Sequence, residues 1–405
     1  MSITLLSGDA RDVLPTLAAN SVHCVVTSPP YYGLRSYLDA AHPDKHREIG
    51  SESTPDEYLT TMVAVMREVR RVLRPDGTVW CNIGDSYAGS PAGNFGTNRP
   101  EAGVFNNYRS NTALNTTKHA KPKDLLMMPA RLALALQADG WWVRSAIVWS
   151  KPNPMPESVS DRPTSAYEMV YLLTKSARYF YDAEAVREDS EPSSLARAGI
   201  VRKASAKELA HVAEGHWNGA PGESGKEYGI GRNLRNVWTI ATHAYPQAHF
   251  ATYPPELAER CIRAGTSERG CCSACGAPWR RVVDKRFTTT RGQKDGGGNG
   301  LDATSRWAGW GNGVLDTTTT GWSASCACAA PTQPCTVLDP FAGAGTTLLV
   351  ADRLQRNAIG VELNAAYTEM AMDRCRADAP LFADTPEPQP VPGFAQPDLF
   401  AEAAD

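Results

Sequence analysis

Apolar positions along the chain alternate between the period of strands and the period of helices. Short apolar runs at residues 3–6 and 22–26 are typical of buried strands, and residues 12–18 between them have a helical spacing. Residues 56–73 repeat an apolar side chain every three or four positions, which predicts an amphipathic helix. The alternation continues with a helix predicted at 125–138 and strands at 78–83, 142–149, 167–174 and 358–361. This order favours an α/β sheet with helices on its faces.

Three segments interrupt the regular pattern. Residues 88–117 and 187–235 are rich in glycine and lack any periodicity, which predicts long loops of the kind that are either functional or disordered. Residues 268–334 carry close pairs of cysteines. The regular pattern ends near Arg376, and the residues after it contain many prolines and only acidic charges, which is typical of a disordered tail.

Composition limits the function only weakly. Of the 405 residues, 42% are hydrophobic and 21% are charged, with a net charge of −3. Nucleic-acid binding would therefore need local basic patches. No run of 18 apolar residues is present in the sequence, which argues against a membrane span. The first residues read as a strand and not as a signal peptide. We expect a soluble enzyme of the cytoplasm.

A glycine-rich turn near the C-terminus has the composition of a ligand site. Residues 337–347 read V-L-D-P-F-A-G-A-G-T-T, a strand that runs into a turn and then a helix. Glycines allow a ligand to approach the backbone closely. A dinucleotide site would want a third glycine where Leu348 stands, and a phosphate loop would want a lysine. The remaining interpretations are a nucleoside site, with Glu362 accepting from the ribose hydroxyls, and a tight turn with an incidental acid.

A second turn follows the predicted strand at 22–26, where the chain reads S-P-P-Y. Two successive prolines forbid a helix and fix a rigid, extended turn at the strand end, where ligands bind in open α/β sheets. Ser28 offers a hydroxyl, the main chain offers carbonyl oxygens, and Tyr31 offers a flat ring. The hydroxyl and the carbonyl oxygens can accept hydrogen bonds from an amino group, and the ring is a surface on which a flipped base can stack. The alternative is a plain turn with tyrosines as packing.

The two turns together resemble the motifs of the amino-methylating DNA methyltransferases, which take a methyl group from S-adenosylmethionine. In these enzymes the acidic turn corresponding to Asp9 contacts the cofactor's adenine edge, and Glu362 would bind the ribose. The resemblance implies cofactor-binding roles for Asp9, Thr27, Asp339, Phe341, Gly343, Gly345, Thr346 and Glu362. It implies catalytic roles for Ser28, Pro29, Pro30 and Tyr31.

The order of the motifs narrows the subgroup. The catalytic motif precedes the cofactor motif by about 300 residues, as in the permuted subgroup called beta. The resemblance therefore implies an α/β, Rossmann-like methyltransferase fold with a mixed, mostly parallel sheet in permuted order. The sequence S-P-P-Y resembles the corresponding motif of the cytosine-N4 enzymes. The adenine-N6 enzymes more often have Asp or Asn at the position that corresponds to Ser28. Adenine-N6 methylation stays open as an alternative, and so does an inactive nucleic-acid-binding protein.

Methylation at a base carbon is a further alternative, because it needs a nucleophilic cysteine after a proline. Pro334-Cys335 is such a dipeptide. It lies immediately before the cofactor strand, which is the wrong side for the motif order of that family. We therefore set this alternative aside.

The resemblance divides the chain into methyltransferase segments and insertions. Residues 149–156, 161–164 and 250–262 carry further similarity to the same group. We expect the methyltransferase domain to comprise 1–87, 121–186, 237–267 and 336–377. We expect a flexible loop at 88–120, a variable insertion for target recognition at 187–236, a zinc module at 268–335 and an acidic tail at 378–405.

The cysteine pairs predict a structural zinc site. Cys272 and Cys275 form a C-x-x-C-G turn, and Cys326 and Cys328 form a second close pair. Four thiolates from two such pairs can surround zinc tetrahedrally. Cys271 could replace Cys272, and reduced thiols without a metal are the alternative. Residues 268–330 carry eight basic and five acidic side chains, so contact with the DNA backbone near residues 279–281 is a further hypothesis.

The tail contains a short segment, Q-P-D-L-F at residues 396–400. It resembles the pentapeptide by which bacterial proteins bind the replication sliding clamp, with Pro397 where that motif has leucine. Gln396, Leu399 and Phe400 would be the contacts, and an inert tail is the alternative. The other expected partners are double-stranded DNA and a cognate restriction endonuclease, in the cytoplasm of a bacterial or phage-infected cell and associated with the nucleoid. We expect no membrane partner.

Overall fold

The computed structural model describes residues 1–34, 36–38, 41–88, 120–189, 231–243, 252–289, 313–378 and 389–390. The chain divides into two compact units. The first comprises residues 1–181, 235–278 and 326–405, and the second comprises 182–234 and 279–325. Among the described residues, every helix is too short or too polar to cross a lipid bilayer.

The regular elements alternate along most of the first unit. The helices are α1 (Ala10–Val13), α2 (Pro55–Val72), α3 (Met128–Ala138), α4 (Pro255–Gly265), α5 (Thr346–Arg353) and α6 (Ala365–Asp378). The strands are β1 (Ile3–Ser7), β2 (Val22–Thr27), β3 (Leu73–Ile83), β4 (Trp142–Ser150), β5 (Tyr167–Thr174), β6 (Glu188–Asp189), β7 (Gly231–Arg232), β8 (Val237–Thr239), β9 (Cys271–Cys272), β10 (Arg280–Thr289), β11 (Gly313–Ser323), β12 (Thr332–Gln333), β13 (Thr336–Asp339), β14 (Asn357–Glu362) and β15 (Gln389–Pro390).

The first unit is built on one sheet of nine described strands, in the order β15-β1-β14-β13-β2-β3-β5-β4-β8. Only the pairings of β5 with β3 and with β4 are antiparallel, so the predicted mixed, mostly parallel sheet is confirmed. β13 lies between β14 and β2, with Val337 opposite Cys24. Since β2 and β13 are parallel neighbours, the turns that follow them emerge at the same edge of the sheet.

Helix α2 shows how a local pattern produces an element that supports this sheet. Thr54 and Glu57 form a reciprocal capping box, and Pro55 occupies the first turn, where its missing N–H has no cost. One face of the helix carries buried side chains such as Tyr58 and Met62, which belong to the core of the first unit. Burial of this apolar face provides most of the stability of such a helix.

Two expectations for the first unit differ from the structure. The helix expected at 12–18 is shorter, with α1 followed by a 3-10 turn over Leu14–Thr16, because Pro15 cannot donate to a continuing helix. The strand expected at 78–83 begins earlier, at Leu73 directly after α2, and so includes Gly77. Gly77 permits this because a Cβ there would lie 2.9 Å from the carbonyl oxygen of His23 on the adjacent strand.

The second unit contains a long antiparallel pair of strands, β10 and β11, which was not predicted. Inside this unit Arg281 donates to the buried Asp182 at 3.1 Å and lies 4.5 Å from the ring centroid of Trp322. The segment 268–335, expected as one module, is divided between the units. Its ends at 268–278 and 326–335 belong to the first unit.

Several predictions fall largely outside the described residues. The expected loop at 88–120 and the expected recognition insertion at 187–236 are described only at 88, 120, 187–189 and 231–236. Phe250 of the motif at 250–262 and the tail residues Gln396, Leu399 and Phe400 are outside the described ranges. These assignments stay predictions.

Candidate active site

A cavity of about 910 Å³ opens in the first unit at the edge of the sheet where the two motif turns meet. This volume is within the range of small-molecule sites. The predicted site residues that line it are Asp9, Ser28, Pro29, Pro30, Tyr31, Phe341, Gly343, Thr346 and Glu362. Thr27, Asp339 and Gly345 lie behind this wall, with Thr27 and Asp339 at 2% and 0% exposure.

One end of the cavity is formed by the turn after β2. The hydroxyl of Tyr58 in α2 donates to the carbonyl oxygen of Pro30 at 2.9 Å, which anchors the turn on the core. The ring of Tyr31 lies against Gly84, where an added Cβ would be 2.6 Å from Cε2 of the tyrosine. The turn is therefore held in position by contacts from α2 and from Gly84, which follows β3.

Glu168 is the centre of a hydrogen-bond network at this end. Its Oε2 accepts from the Tyr31 hydroxyl at 2.7 Å and from Nδ2 of Asn82 at 2.9 Å. Its Oε1 pairs with the Lys151 ammonium, and both side chains of this pair are more than four-fifths buried. The Ser28 hydroxyl donates to the Tyr31 hydroxyl at 3.2 Å. Burial, and secondarily the Glu168 carboxylate, raises the pKa of Tyr31 well above its usual value, so Tyr31 remains a donor.

Asn82, Lys151 and Glu168 were not among the predicted site residues. Of the three, only Lys151 lies in the short stretch 149–156 whose similarity to the family was noted. Glu168 stands near the start of an otherwise apolar strand, and a lone charge in such a strand is a signal that could have indicated a buried polar site.

The opposite end of the cavity is formed by the glycine-rich turn and Glu362. The Glu362 carboxylate accepts from the main-chain N–H of Gly343 and of Asn364, each at 2.8 Å. Burial raises the pKa of Glu362 to about 7, although these two donors oppose the shift. Gly343 has a φ of +50° and nothing lies within 4 Å of the position of an added Cβ, so its backbone is open to a ligand.

Asp9 lies beside this end as the N-cap of α1. It accepts from the N–H of Arg11 at 2.8 Å and from the Arg11 guanidinium at 2.5 Å, and Arg47 lies 3.4 Å away. Burial acts to raise the pKa of Asp9, but the hydrogen bonds and charges of both arginines outweigh it and hold the pKa below its usual value. The group is therefore a carboxylate at neutral pH.

Asp339 is buried and supports the glycine-rich turn from the side that faces away from the cavity. Its carboxylate accepts from the N–H of Phe341 at 3.1 Å, from the Thr347 hydroxyl at 2.8 Å and from the Tyr253 hydroxyl at 3.0 Å. Tyr253, which precedes α4, was not among the predicted site residues. The contacts of Asp339 are internal, so this residue fixes the shape of the cavity wall.

The structure also brings together the four predicted metal ligands. The sulfur atoms of Cys272, Cys275, Cys326 and Cys328 all lie within 4.8 Å of one another. The alternative ligand Cys271 lies in a different cluster, with His23 and Cys335.

Comparison with known proteins gives a consistent set of relatives. A family model described as DNA methylase, of the N6 and N4 type, matches residues 22–272 and 334–373. The type II methyltransferase M.Cfr9I of Citrobacter freundii is 35% identical over 93% of this chain and 88% of its own length. M.SmaI of Serratia marcescens is 31% identical over 92% of this chain and 90% of its own. The solved PvuII DNA methyltransferase (cytosine-N4-specific) aligns over 92% of this chain and 86% of its own, with 15% identity and a TM-score of 0.49.

Proposed function

The chain belongs to the DNA methylase family that comprises the N6 and N4 enzymes, and we propose that its target is the exocyclic N4 of cytosine in duplex DNA. Membership of this family establishes the general activity of the protein. The protein is a DNA methyltransferase of the type II restriction-modification kind, and S-adenosylmethionine is its methyl donor.

The choice of cytosine rests on Ser28, which lines the cavity at the position where adenine-N6 enzymes more often have Asp or Asn. This hydroxyl donates its own proton to Tyr31 and accepts from Nδ2 of Asn82 at 3.4 Å, so one lone pair is left to accept from the base. The N4 amino group of cytosine has two N–H donors, and we assign the Ser28 oxygen and the carbonyl oxygen of Pro29 as their acceptors. Holding both hydrogens turns the nitrogen lone pair towards the opposite end of the cavity.

The residues at the other end fit the donor. The carboxylate of Glu362 retains lone pairs for the two ribose hydroxyls, and the open backbone at Gly343 permits close approach. Asp9 is a carboxylate beside this site, suited to an adenine amino group. S-adenosylmethionine supplies an electrophilic methyl group on a sulfonium, and the cavity offers the target amine from the Ser28 side.

The polar residues near Ser28 provide a path for the proton that N4 must lose on methylation. Ser28 donates to Tyr31 and Tyr31 donates to Glu168, so one chain of hydrogen bonds leads from the base end to a carboxylate. Lys151 neutralises Glu168 on its other side. The target base reaches this end by flipping out of the duplex, and the ring of Tyr31 is the surface on which it stacks.

The base specificity is tested by analysing the product. Unmodified duplex DNA is incubated with the full chain and a donor with a deuterated methyl group, and is then digested to nucleosides for mass spectrometry. We expect labelled N4-methyldeoxycytidine, and none in a parallel reaction without protein. Labelled N6-methyldeoxyadenosine in its place would overturn the choice of cytosine. No labelled nucleoside, together with no binding of the donor, would favour the alternative of an inactive nucleic-acid-binding protein.

The affinity for S-adenosylmethionine is expected to increase about tenfold between pH 6 and pH 8. The pKa of Glu362 is raised to about 7, so the ionised form, which accepts both ribose hydroxyls, becomes dominant as the pH rises through this window. Calorimetric titration at several pH values measures the change. Glu362→Gln should bind more weakly with a flatter profile, and titration of the ligand's own amino group cancels between the two proteins. Parallel profiles would refute the assignment of Glu362.

We propose four further assignments for this chain. These are target recognition by residues 187–236, docking of the tail on a sliding clamp, pairing with a cognate restriction endonuclease, and a cytoplasmic, nucleoid-associated location. Each is compatible with an enzyme whose substrate is bacterial DNA.

A further inference from the structure

We propose that Cys272, Cys275, Cys326 and Cys328 bind one structural zinc ion that fixes the chain where it re-enters the sheet before β13. The four sulfur atoms come from two segments and lie within 4.8 Å of one another. Zinc with four thiolates at about 2.3 Å has sulfur–sulfur distances of about 3.8 Å. Small side-chain rotations therefore suffice to form the tetrahedron.

The turn between Cys272 and Cys275 already has a ligand-binding geometry. The N–H of Gly276 donates to the carbonyl oxygen of Cys272 at 2.8 Å, and the left-handed φ of +70° at Gly276 directs the chain back on itself.

The structure also selects Cys272 over Cys271 as the ligand. The two residues are neighbours in β9, and successive side chains of a strand point to opposite faces. Cys271 therefore faces His23 and Cys335. Both ring nitrogens of His23 are occupied, since Nε2 bonds to the carbonyl oxygen of Gly276 at 2.9 Å and Nδ1 accepts from the N–H of Thr336 at 3.0 Å. That second cluster does not form a metal site, so one zinc is expected per chain.

Exposure separates the metal site from a set of ordinary free thiols. Cys275 and Cys328 are exposed and Cys326 is partly exposed, whereas the cysteines outside the tetrad are buried. Free cysteine is among the most buried residue types. Two exposed thiols placed against two others are readily oxidised, and coordination by zinc would protect them.

The site lies where it can hold the chain but cannot take part in catalysis. Arg74 donates to the carbonyl oxygen of Cys275 at 2.8 Å, and the N–H of Ser273 donates to Pro331 at 2.9 Å. β9 pairs with β12, and β12 is followed directly by β13. Among the described residues that line the cavity there is none of the four cysteines. The zinc would therefore join residues 272–275 to the return segment and so secure the start of β13.

The first test is the metal content of the full chain, purified without a histidine tag. Mass spectrometry of metals should find about one zinc per chain, close to none in Cys275→Ser and Cys328→Ser, and a full complement in the control Cys375→Ala, whose thiol lies outside the tetrad in α6. Zinc absent from the wild-type chain, or iron in its place, would overturn the proposal.

A second measurement uses only the wild-type chain, so its outcome does not depend on whether the variants fold. In the wild-type chain, Cys275 and Cys328 should react slowly with iodoacetamide and at least tenfold faster after a zinc chelator is added, as read from tryptic peptides. Cys24 and Cys261, which are buried, serve as internal controls and should not change. Equal rates with and without chelator, or a disulfide between any two of the four cysteines, would contradict zinc binding.

Discussion

Ser28→Ala is expected to lower the rate of methyl transfer by about 100- to 1,000-fold, which is the usual effect of removing one group that polarises or orients the reacting centre. The change deletes the oxygen that accepts one N–H of the target amine and leaves the other acceptor, the carbonyl oxygen of Pro29, in place. Affinity for S-adenosylmethionine should stay within about twofold, because Ser28 lies at the end of the cavity opposite Glu362. Single-turnover methylation and cofactor titration measure the two quantities.

Two further variants make this test specific. Ser28→Asn restores an acceptor and introduces the residue type more common in adenine-N6 enzymes, so part of the lost rate should return. Ser51→Ala is the matched control, because the Ser51 hydroxyl donates to the carbonyl oxygen of Glu48 at 2.6 Å and does not line the cavity. If Ser28→Ala kept the rate within threefold of the wild type, Ser28 would have no part in the chemistry.

Tyr31→Ala is expected to reduce kcat/KM for DNA by about 10- to 100-fold. Stacking of one base on an aromatic ring contributes about 1–3 kcal/mol, and the alanine variant loses the ring as well as the hydroxyl that accepts from Ser28. Tyr31→Phe keeps the ring and loses only the hydrogen bonds, so its loss should be about tenfold or less. Methylation kinetics with both variants separate the two contributions.

Base flipping gives an independent measurement for the same pair. A duplex with 2-aminopurine at the target position becomes fluorescent when that base leaves the stack and is quenched again by an aromatic ring. Tyr31→Phe should retain the quenching, whereas Tyr31→Ala should leave the flipped base bright. Indistinguishable signals from the two variants would mean that Tyr31 does not contact the target base.

The parts of the fold that sequence predicts are those controlled by short-range pattern. β5 occupies the predicted residues 167–174, because an apolar run of that length is favourable only when it is buried in a sheet. The helix expected at 12–18 failed because a single proline outweighed the apolar spacing. The β10–β11 pair was missed because its alternation is weak, although the threonine run at 317–320 is rich in strand-forming residues.

The candidate site shows the same division between local and distant information. Both motif turns could be placed at one edge of the sheet, because each follows a parallel strand. The network around Glu168 could not be predicted, because its contact with Asn82 depends on β5 lying antiparallel beside β3. The two residues are 86 positions apart in the sequence. The contact of Tyr253 with Asp339 depends in the same way on distant chain segments. Hydrogen-bond partners across a sheet follow from strand order, which residue pattern alone does not give.

The position of β13 between β2 and β14 also determines when a newly made chain can become an enzyme. β2 is complete once residue 27 has left the ribosome, but its neighbour β13 begins at residue 336. At synthesis rates of about 5–20 residues per second, roughly 15–60 s separate these two events. During that interval the first half of the sheet exposes an unpaired strand edge, and the wall that holds the methyl donor does not exist. A chain cut short before β13 would therefore carry the S-P-P-Y motif without any capacity to modify DNA, so translation itself sets the earliest moment of methylation.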